Sequence, residues 1–331
     1  MDINELKKHL GQDWIAVQDC IGTVLKSEIS LLNSVNGSIL SNSGKQLRPL
    51  LALVMARACS AGNPGAGLAD LTVRYAAASE LLHNATLLHD DVADESDQRR
   101  GKPTIYSLMG PSVSVLVGDY WLVKAMELIL KSCGSDNEVM LIFSKTLSDL
   151  AEGEMLQLQK AQTGDTDEND YLKIIYNKTA SLFEATCVSA AISVGASKEM
   201  IEAAKAYAVA LGLAFQIMDD ILDYSGTESV GKPLGVDILE QKITLPLLGA
   251  LAAVPAEECQ RIRKLVKDIS GHPEYRDEIV GFVKDNGGVE YARRRLDAYV
   301  SEAVAALDVL PDSYEKECLS ALARFTAERN R

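Results

Sequence analysis

Two strongly apolar stretches of this chain each end abruptly in a cluster of aspartates, and few folds accommodate that combination twice. In the first, Leu81, Leu82, Ala85, Leu88 and Val92 recur at steps of three and four, the period of a helix face, and Asp90 and Asp94 follow the same spacing. In the second, AYAVALGLAFQIM runs directly into Asp219, Asp220 and Asp223. Residues four apart on a helix share one face about a turn from each other, so each motif sets like charges side by side. For one such motif alone, a solvated acidic helix end is the ordinary explanation. Two of them, each closing an apolar helix, point to acidic tips that face each other across a gap. Bound divalent cations would make that gap tolerable, because uncompensated buried carboxylates cost several kcal/mol each. Mg2+ suits oxygen ligands and leaves coordination positions that a diphosphate fills.

Helical periodicity dominates the rest of the chain, and period-two runs with hairpin turns are absent. A helix or helix pair is expected over Ile3 to Leu32, followed by a polar loop, NGSILSNSGK. Pro49 then sits in the first turn of a helix, a place proline tolerates, and Gly62, Pro64, Gly65 and Gly67 break that helix. The first motif helix is expected from Leu68 to Val92. Pro111 opens another, closed by Gly134, and a further one covers residues 136–162. Asp167 to Ser193 reads as helix, and the second motif helix runs from Lys198 to Tyr224. Gly226, Gly231 and Gly235 in the loop beyond suit a mobile lid. With no linker composition and no repeat, the expectation is all-α: one large helical bundle over residues 1–331, with a central cavity and polar residues gathered at one end. A hydrophobic content of 47% with only 5% aromatic residues makes that core one of Leu, Ala, Ile and Val.

The net charge of −14 disfavours nucleic acid and anionic membrane surfaces as partners. The N-terminus lacks a basic-then-apolar signal pattern, and no uncharged run reaches about 18 residues, so a soluble cytoplasmic protein that does not span a membrane is expected. Cys20, Cys59, Cys133, Cys187, Cys259 and Cys318 never pair as CxxC and read as reduced core thiols rather than a disulfide framework or zinc site. Against the acidic background, cations gather beside the two acidic motifs: Lys45 with Arg48, Arg99 with Arg100 and Lys102, Lys178, and Lys232 with Lys242.

The order of these motifs resembles the trans-polyprenyl diphosphate synthases, the long-chain branch of the isoprenyl diphosphate synthases. The resemblance runs from GKQLRP at Gly44 through LLHDDVADESDQRRGKPT, LVGD at Leu116, AEGE at Ala151, NKTASLFE at Asn177 and FQIMDDILD at Phe215 to GKPLGVD and TLPLL, ending at Leu248. It implies the isoprenoid synthase type of helical fold, a homodimer, and a prenyltransferase that repeatedly joins isopentenyl diphosphate to an allylic diphosphate with several Mg2+ ions. By the same resemblance Asp90, Asp94 and Asp219 are metal ligands, with Asp91, Asp220 and Asp223 acting through water or from behind. Lys45, Arg48, His83 and Arg100 match the site for isopentenyl diphosphate. Arg99, Lys178, Thr179, Gln216, Lys232 and Lys242 match the surroundings of the allylic diphosphate. One departure stands out: family members carry glycine before the last basic lysine and often proline after it, whereas here Gln241 and Ile243 flank Lys242. A stiffer loop is expected there.

The residue types fit the chemistry on their own terms. Breaking an allylic C–O bond yields a delocalised cation and a diphosphate, so positive charge belongs on the leaving oxygens, where arginine grips two at once. Unreactive oxygens, the Thr179 hydroxyl, the Gln216 amide and carbonyls of a deformed helix near Asn177 to Thr179, belong at the cation. The small Ala85 and Thr86, with Leu81, Leu82, Ala78 and Ala77 further back, leave an apolar tube along the first motif helix, floored on another helix by Leu122, Met126 and Ile129. A helix of roughly 25 residues is about 37 Å long, which sets the product at about C30 to C50 with C40 as the central value. The alternatives are a class I terpene cyclase, which lacks a second diphosphate site, and a non-catalytic regulatory subunit, which tends to lose one acidic motif.

Overall fold

The helix from Asp70 to Ala93 is buried without a break from Tyr75 through Leu82, more than two full turns, so every face of that segment meets protein. Its position decides how the surrounding elements pack. The computed structural model describes residues 3–42, 44–60, 68–99, 101–132, 137–225 and 235–328. These fall into two compact helical units that interleave in sequence. The first takes Met1–Ser144, Ala185–Ala204 and Val309–Leu319; the second takes Lys145–Glu184, Lys205–Asp308 and Ser320–Arg331.

In the first unit the order is α1 (Ile3–Leu10), α2 (Gln12–Val24), α3 (Ser30–Ser41), α4 (Leu47–Cys59), α5 (Asp70–Ala93), α6 (Ile105–Met109) and α7 (Pro111–Leu130). Helix α5 is packed by α2, α4 and most extensively α7. Pro111 opens α7 as expected, while Gly134 and the Gly62 to Gly67 break lie outside the described residues. Most of the expected polar loop from Asn36 is instead helical, through Ser41. The buried Asn36 side chain explains this, since its amide donates to the Leu25 carbonyl at 2.9 Å and accepts from the Trp121 indole at 2.8 Å. Tertiary partners satisfy a residue whose local preference is for a turn. The one strand pairing among the described residues is too short for a sequence signal: Gln98–Arg99 (β1) pairs antiparallel with Lys102–Pro103 (β2).

Helices α8 (Glu138–Thr163), α10 (Ser181–Ser193), α11 (Lys198–Ser225) and α17 (Tyr314–Glu328) contribute residues to both units. The second unit adds α9 (Glu168–Ile175), α12 (Val236–Leu239), α13 (Leu245–Ala252), α14 (Ala256–Asp268), α15 (Tyr275–Asp285) and α16 (Gly288–Ala306). Its centre is α13, buried from Leu245 through Leu251 and crossed closely by α16. Between α9 and α10 the chain widens into a π-helical turn, Tyr176–Ala180, where the sequence placed a deformed backbone. Helix α11 is the one described helix long and apolar enough to cross a membrane, yet 56% of its most apolar window is buried in protein, as in a core helix.

Candidate active site

The first acidic motif ends α5. Asp91 is buried, with only 4% of its surface exposed, and accepts from the Arg99 guanidinium at 2.8 Å, while Asp90 is half-buried and Asp94 exposed. Burial raises the Asp91 carboxyl above its ordinary value and the Arg99 charge opposes that rise. Arg99 reaches Asp91 because the β1–β2 hairpin turns the chain back, and Thr104 secures the turn by donating to the Ser96 carbonyl at 2.7 Å. The glycine of LVGD has its own reason. A methyl group at Gly118 would stand 2.5 Å from His89 Nε2, so glycine leaves room for the His89 ring where α7 passes the residue preceding Asp90. Ser114 adds a hydrogen bond from α7 to the Leu88 carbonyl at 2.8 Å. Among the other sequence-nominated residues of this unit, Lys45 is exposed and Arg48 and His83 are half-buried. Gln46, between Lys45 and Arg48, takes the left-handed conformation with φ of 53°, and so sets the entry of the chain into α4.

In the second unit a pocket is lined by Gln157, Lys178, Gln216, Asp220, Asp237 and Lys242, among others. Here too the three aspartates of the motif divide. Asp219 is exposed, whereas Asp220 is buried and accepts from Tyr171 Oη at 2.6 Å and Gln216 Nε2 at 2.9 Å. Asp223 accepts from the backbone N–H groups of Val236 at 3.0 Å and Asp237 at 3.2 Å, so it caps the first turn of α12. Burial first, then the charge of Asp237, pushes the Asp220 carboxyl far up. Asp237 itself is pushed up to about 6 by burial and then by Asp223, against the pull of Lys242. Carboxylates that raise one another in this way are a donor set that a cation would relieve. Among the described residues, no three His, Cys, Asp or Glu side chains form a ready-made metal cage.

The π turn carries Lys178 and Thr179, and two glycines make room for it. A methyl group at Gly153 would lie 2.7 Å from Asn177 Cβ, and one at Gly212 would lie 2.6 Å from Ala180 Cα. The AEGE and ALGLAF segments therefore grip the wide turn from α8 and α11. Lys178 pairs with Glu154 at 2.7 Å, and Thr179 Oγ1 donates to Gln216 Oε1 at 2.9 Å. The departure at Gln241 also becomes intelligible. Gln241 adopts φ of 59°, the conformation that favours glycine, and its side chain donates to the Lys267 carbonyl at 2.6 Å. Lys242 stays in the pocket wall, paired with Glu240 and held by its own N–H to the Asp237 carbonyl at 2.8 Å.

The second unit thus brings Lys178, Gln216 and Lys242 together, with Thr179 bonded to Gln216, while Asp219 lies three residues beyond Gln216 on the same helix. Arg100, Lys232 and the glycine-rich segment through Leu234 lie outside the described residues. Sequence reasoning missed Tyr171, Asp237, Glu154 and Gly212. Of these only Glu154 and Asp237 stood inside quoted motifs, AEGE and GKPLGVD, where their acidity was the available signal. Tyr171 and Gly212 look like ordinary helix residues.

A family model described as polyprenyl synthetase matches residues 29–281. Octaprenyl diphosphate synthase of Escherichia coli (strain K12) is 38% identical over 332 aligned residues, covering all of both chains. The geranyl-diphosphate-specific all-trans-nonaprenyl-diphosphate synthase of Rhodobacter capsulatus is 36% identical, covering 97% of this chain and 96% of its own. Among solved structures, a decaprenyl diphosphate synthase from Rhodobacter capsulatus superposes with a TM-score of 0.91 at 36% identity, covering both chains completely. A polyprenyl synthase from Caulobacter crescentus CB15, complexed with calcium and isoprenyl diphosphate, gives a TM-score of 0.89 at 32% identity, covering 100% of this chain and 98% of that one. Motif order, helical fold and full-length similarity agree, and the chain belongs to the polyprenyl synthetase family.

Proposed function

We propose that this enzyme condenses isopentenyl diphosphate repeatedly onto an allylic diphosphate, with Mg2+, to give an all-trans polyprenyl diphosphate. The names of its relatives, octaprenyl, nonaprenyl and decaprenyl, set the product at roughly C40 to C50, the upper part of the range expected from helix length. The observation that carries the mechanism is the second unit's pocket, where Lys178 and Lys242 stand with Gln216 and two carboxylates whose charges oppose each other.

Asp90, Asp94 and Asp219 would hold Mg2+, which would supply positive charge to the diphosphate oxygens. Lys178 and Lys242, with Arg99 and Lys232, bind the allylic diphosphate and take up its growing charge. The Gln216 and Thr179 oxygens face the allylic carbon and stabilise its positive charge without attacking it. Lys45, Arg48, His83 and Arg100 hold isopentenyl diphosphate, whose double bond attacks the cation; the proton then lost passes to the departing diphosphate. The growing chain follows α5 past Ala85 and Thr86. Along that path Ala85, Ala78 and Ala77 are fully buried and Thr86 is half-buried, all of them small side chains.

The family match crosses both units, which supports reading residues 1–331 as one synthase domain. A homodimer is supported by α7, where Leu116, Val123 and Leu130 recur every seven residues at 67%, 52% and 58% exposure, an apolar seam suited to a second copy. The burial of α11 within protein supports a soluble enzyme, which we read as cytoplasmic.

The deciding experiment feeds radiolabelled isopentenyl diphosphate with farnesyl or geranylgeranyl diphosphate and Mg2+, and sizes the products by chromatography. Linear chains of eight to ten isoprene units are expected. Cyclic hydrocarbon would instead identify a cyclase, and no turnover by the purified chain a regulatory subunit.

A further inference from the structure

A glutamine amide has two orientations of nearly equal shape, and only its hydrogen-bond partners decide which end is oxygen. That choice matters at Gln216, because an oxygen stabilises a neighbouring cation and an NH2 group repels it. The two partners are unlike. Asp220 Oδ1 accepts from Gln216 Nε2 at 2.9 Å, and the Thr179 hydroxyl donates to Gln216 Oε1 at 2.9 Å. Thr179 does not enforce the orientation, since a hydroxyl can rotate to accept instead. The decision therefore rests on Asp220, and so on whatever holds that carboxylate still.

Asp220 is held by Tyr171, whose hydroxyl donates to the second carboxylate oxygen at 2.6 Å. Both side chains are buried, with Tyr171 3% and Asp220 3% exposed. Tyr171 is itself well anchored. A reciprocal capping box between Asp167 and Asp170 fixes the start of α9, and Asp170 also pairs with Lys160 at 2.7 Å. The hydrogen bonds thus run from a capped helix through Tyr171, Asp220 and Gln216 to Thr179 in the π turn. Tyr171 lines the same pocket but needs no contact with substrate to act.

We propose that Tyr171 is a positioning residue for ionisation of the allylic diphosphate: through Asp220 it fixes the Gln216 amide with its oxygen turned to Thr179 and the reacting carbon. This rests on the reading given above, that the Gln216 and Thr179 oxygens stabilise the cationic carbon. Without the Tyr171 hydroxyl the carboxylate can turn, the amide can flip, and bond breaking slows although both substrates still bind.

The test compares Tyr171→Phe, Gln216→Ala and the double variant, assayed with farnesyl diphosphate, isopentenyl diphosphate and Mg2+. Gln216→Ala should lower kcat at least tenfold. Tyr171→Phe should lower kcat about tenfold while KM for each substrate stays within twofold; that unchanged KM, with a cooperative thermal transition, also shows that the variant is folded. In the double variant, kcat should match Gln216→Ala within twofold, because Tyr171 acts only through that amide. A slow Gln216→Ala protein beside a fully active Tyr171→Phe protein would overturn the positioning role and leave the reading of Gln216 intact. So would losses that multiply in the double variant, or a Tyr171→Phe defect confined to KM. A fully active Gln216→Ala protein would overturn the reading of Gln216 itself, and this inference with it.

Discussion

The two aspartate motifs carry the same spacing but are built differently, and the difference lies in who holds the second aspartate. In the first, Asp91 is neutralised by the full positive charge of Arg99, supplied by a hairpin a few residues further along the chain. In the second, Asp220 has only neutral donors, Tyr171 and Gln216, and faces the further negative charge of Asp237. The buried aspartate of the first motif therefore has a cationic partner within its own loop. That of the second faces the like charge of Asp237 instead, which a bound cation would offset. Each arrangement leaves the first aspartate of its motif more accessible than the second.

The sharpest way to break this comparison is to remove the accessible carboxylates. Asp90→Ala and Asp219→Ala should each lower turnover by roughly 1,000-fold, since each removes a proposed metal ligand and with it several kcal/mol of charge stabilisation. Asp223→Asn, which weakens a cap on α12, should cost about tenfold or less. Steady-state incorporation of labelled isopentenyl diphosphate measures all three, and an Asp223→Asn loss equal to that of Asp219→Ala would erase the division between accessible and structural carboxylates.

Next in size is Arg99→Ala. It leaves Asp91 buried beside no cation, a change worth 3–5 kcal/mol for a fully buried pair. Because 36% of the Arg99 side chain is exposed, about 2 kcal/mol is expected, seen as a melting temperature lower by several degrees. A smaller effect should appear with pH. Asp237 titrates near 6 in the folded chain against 3.8 ordinarily, so the folded state binds its proton more tightly than the unfolded state does. Stability of the metal-free protein should therefore rise as pH falls from about 6 towards 4, and Mg2+ with diphosphate should flatten that slope. Calorimetry with and without the metal checks both signs. Smallest of all, Gln241→Gly relieves a left-handed glutamine but loses its tie to Lys267. Its melting temperature should move by no more than about 2 °C, and KM for the allylic substrate by less than twofold.

Much of this was legible because it depends on chemistry that repeats along the chain. The apolar period of α5 and α11, Pro111 at the head of α7 and the order of acidic and basic motifs were all readable, as was a distorted backbone near Lys178. What escaped reading depends on partners distant in sequence. Asn36 sits in a helix because the Trp121 indole reaches it from α7. Tyr171 has a buried hydroxyl whose partner is 49 residues away. Gly212 is glycine because of a backbone more than thirty residues earlier. None of these pairings leaves a periodic mark, and the Gln241 departure invited a stiffness argument when the chain simply adopts the conformation that glycine would favour.

The wide turn at Tyr176–Ala180 has a consequence for how this region can vary. A π turn amounts to one residue inserted into an α-helix, and a single insertion rotates everything beyond it by about 100°. Residues before and after it are therefore phased to different neighbours: Tyr171 on one side addresses Asp220, and Ser181 on the other returns its hydroxyl to the Asn177 carbonyl at 2.7 Å. Deleting one residue here would regularise the helix and at the same time swing one half of it off its partners. A change of length must be matched by repacking along an entire helix, so the residue count of this segment is held by packing as well as by the side chains it carries.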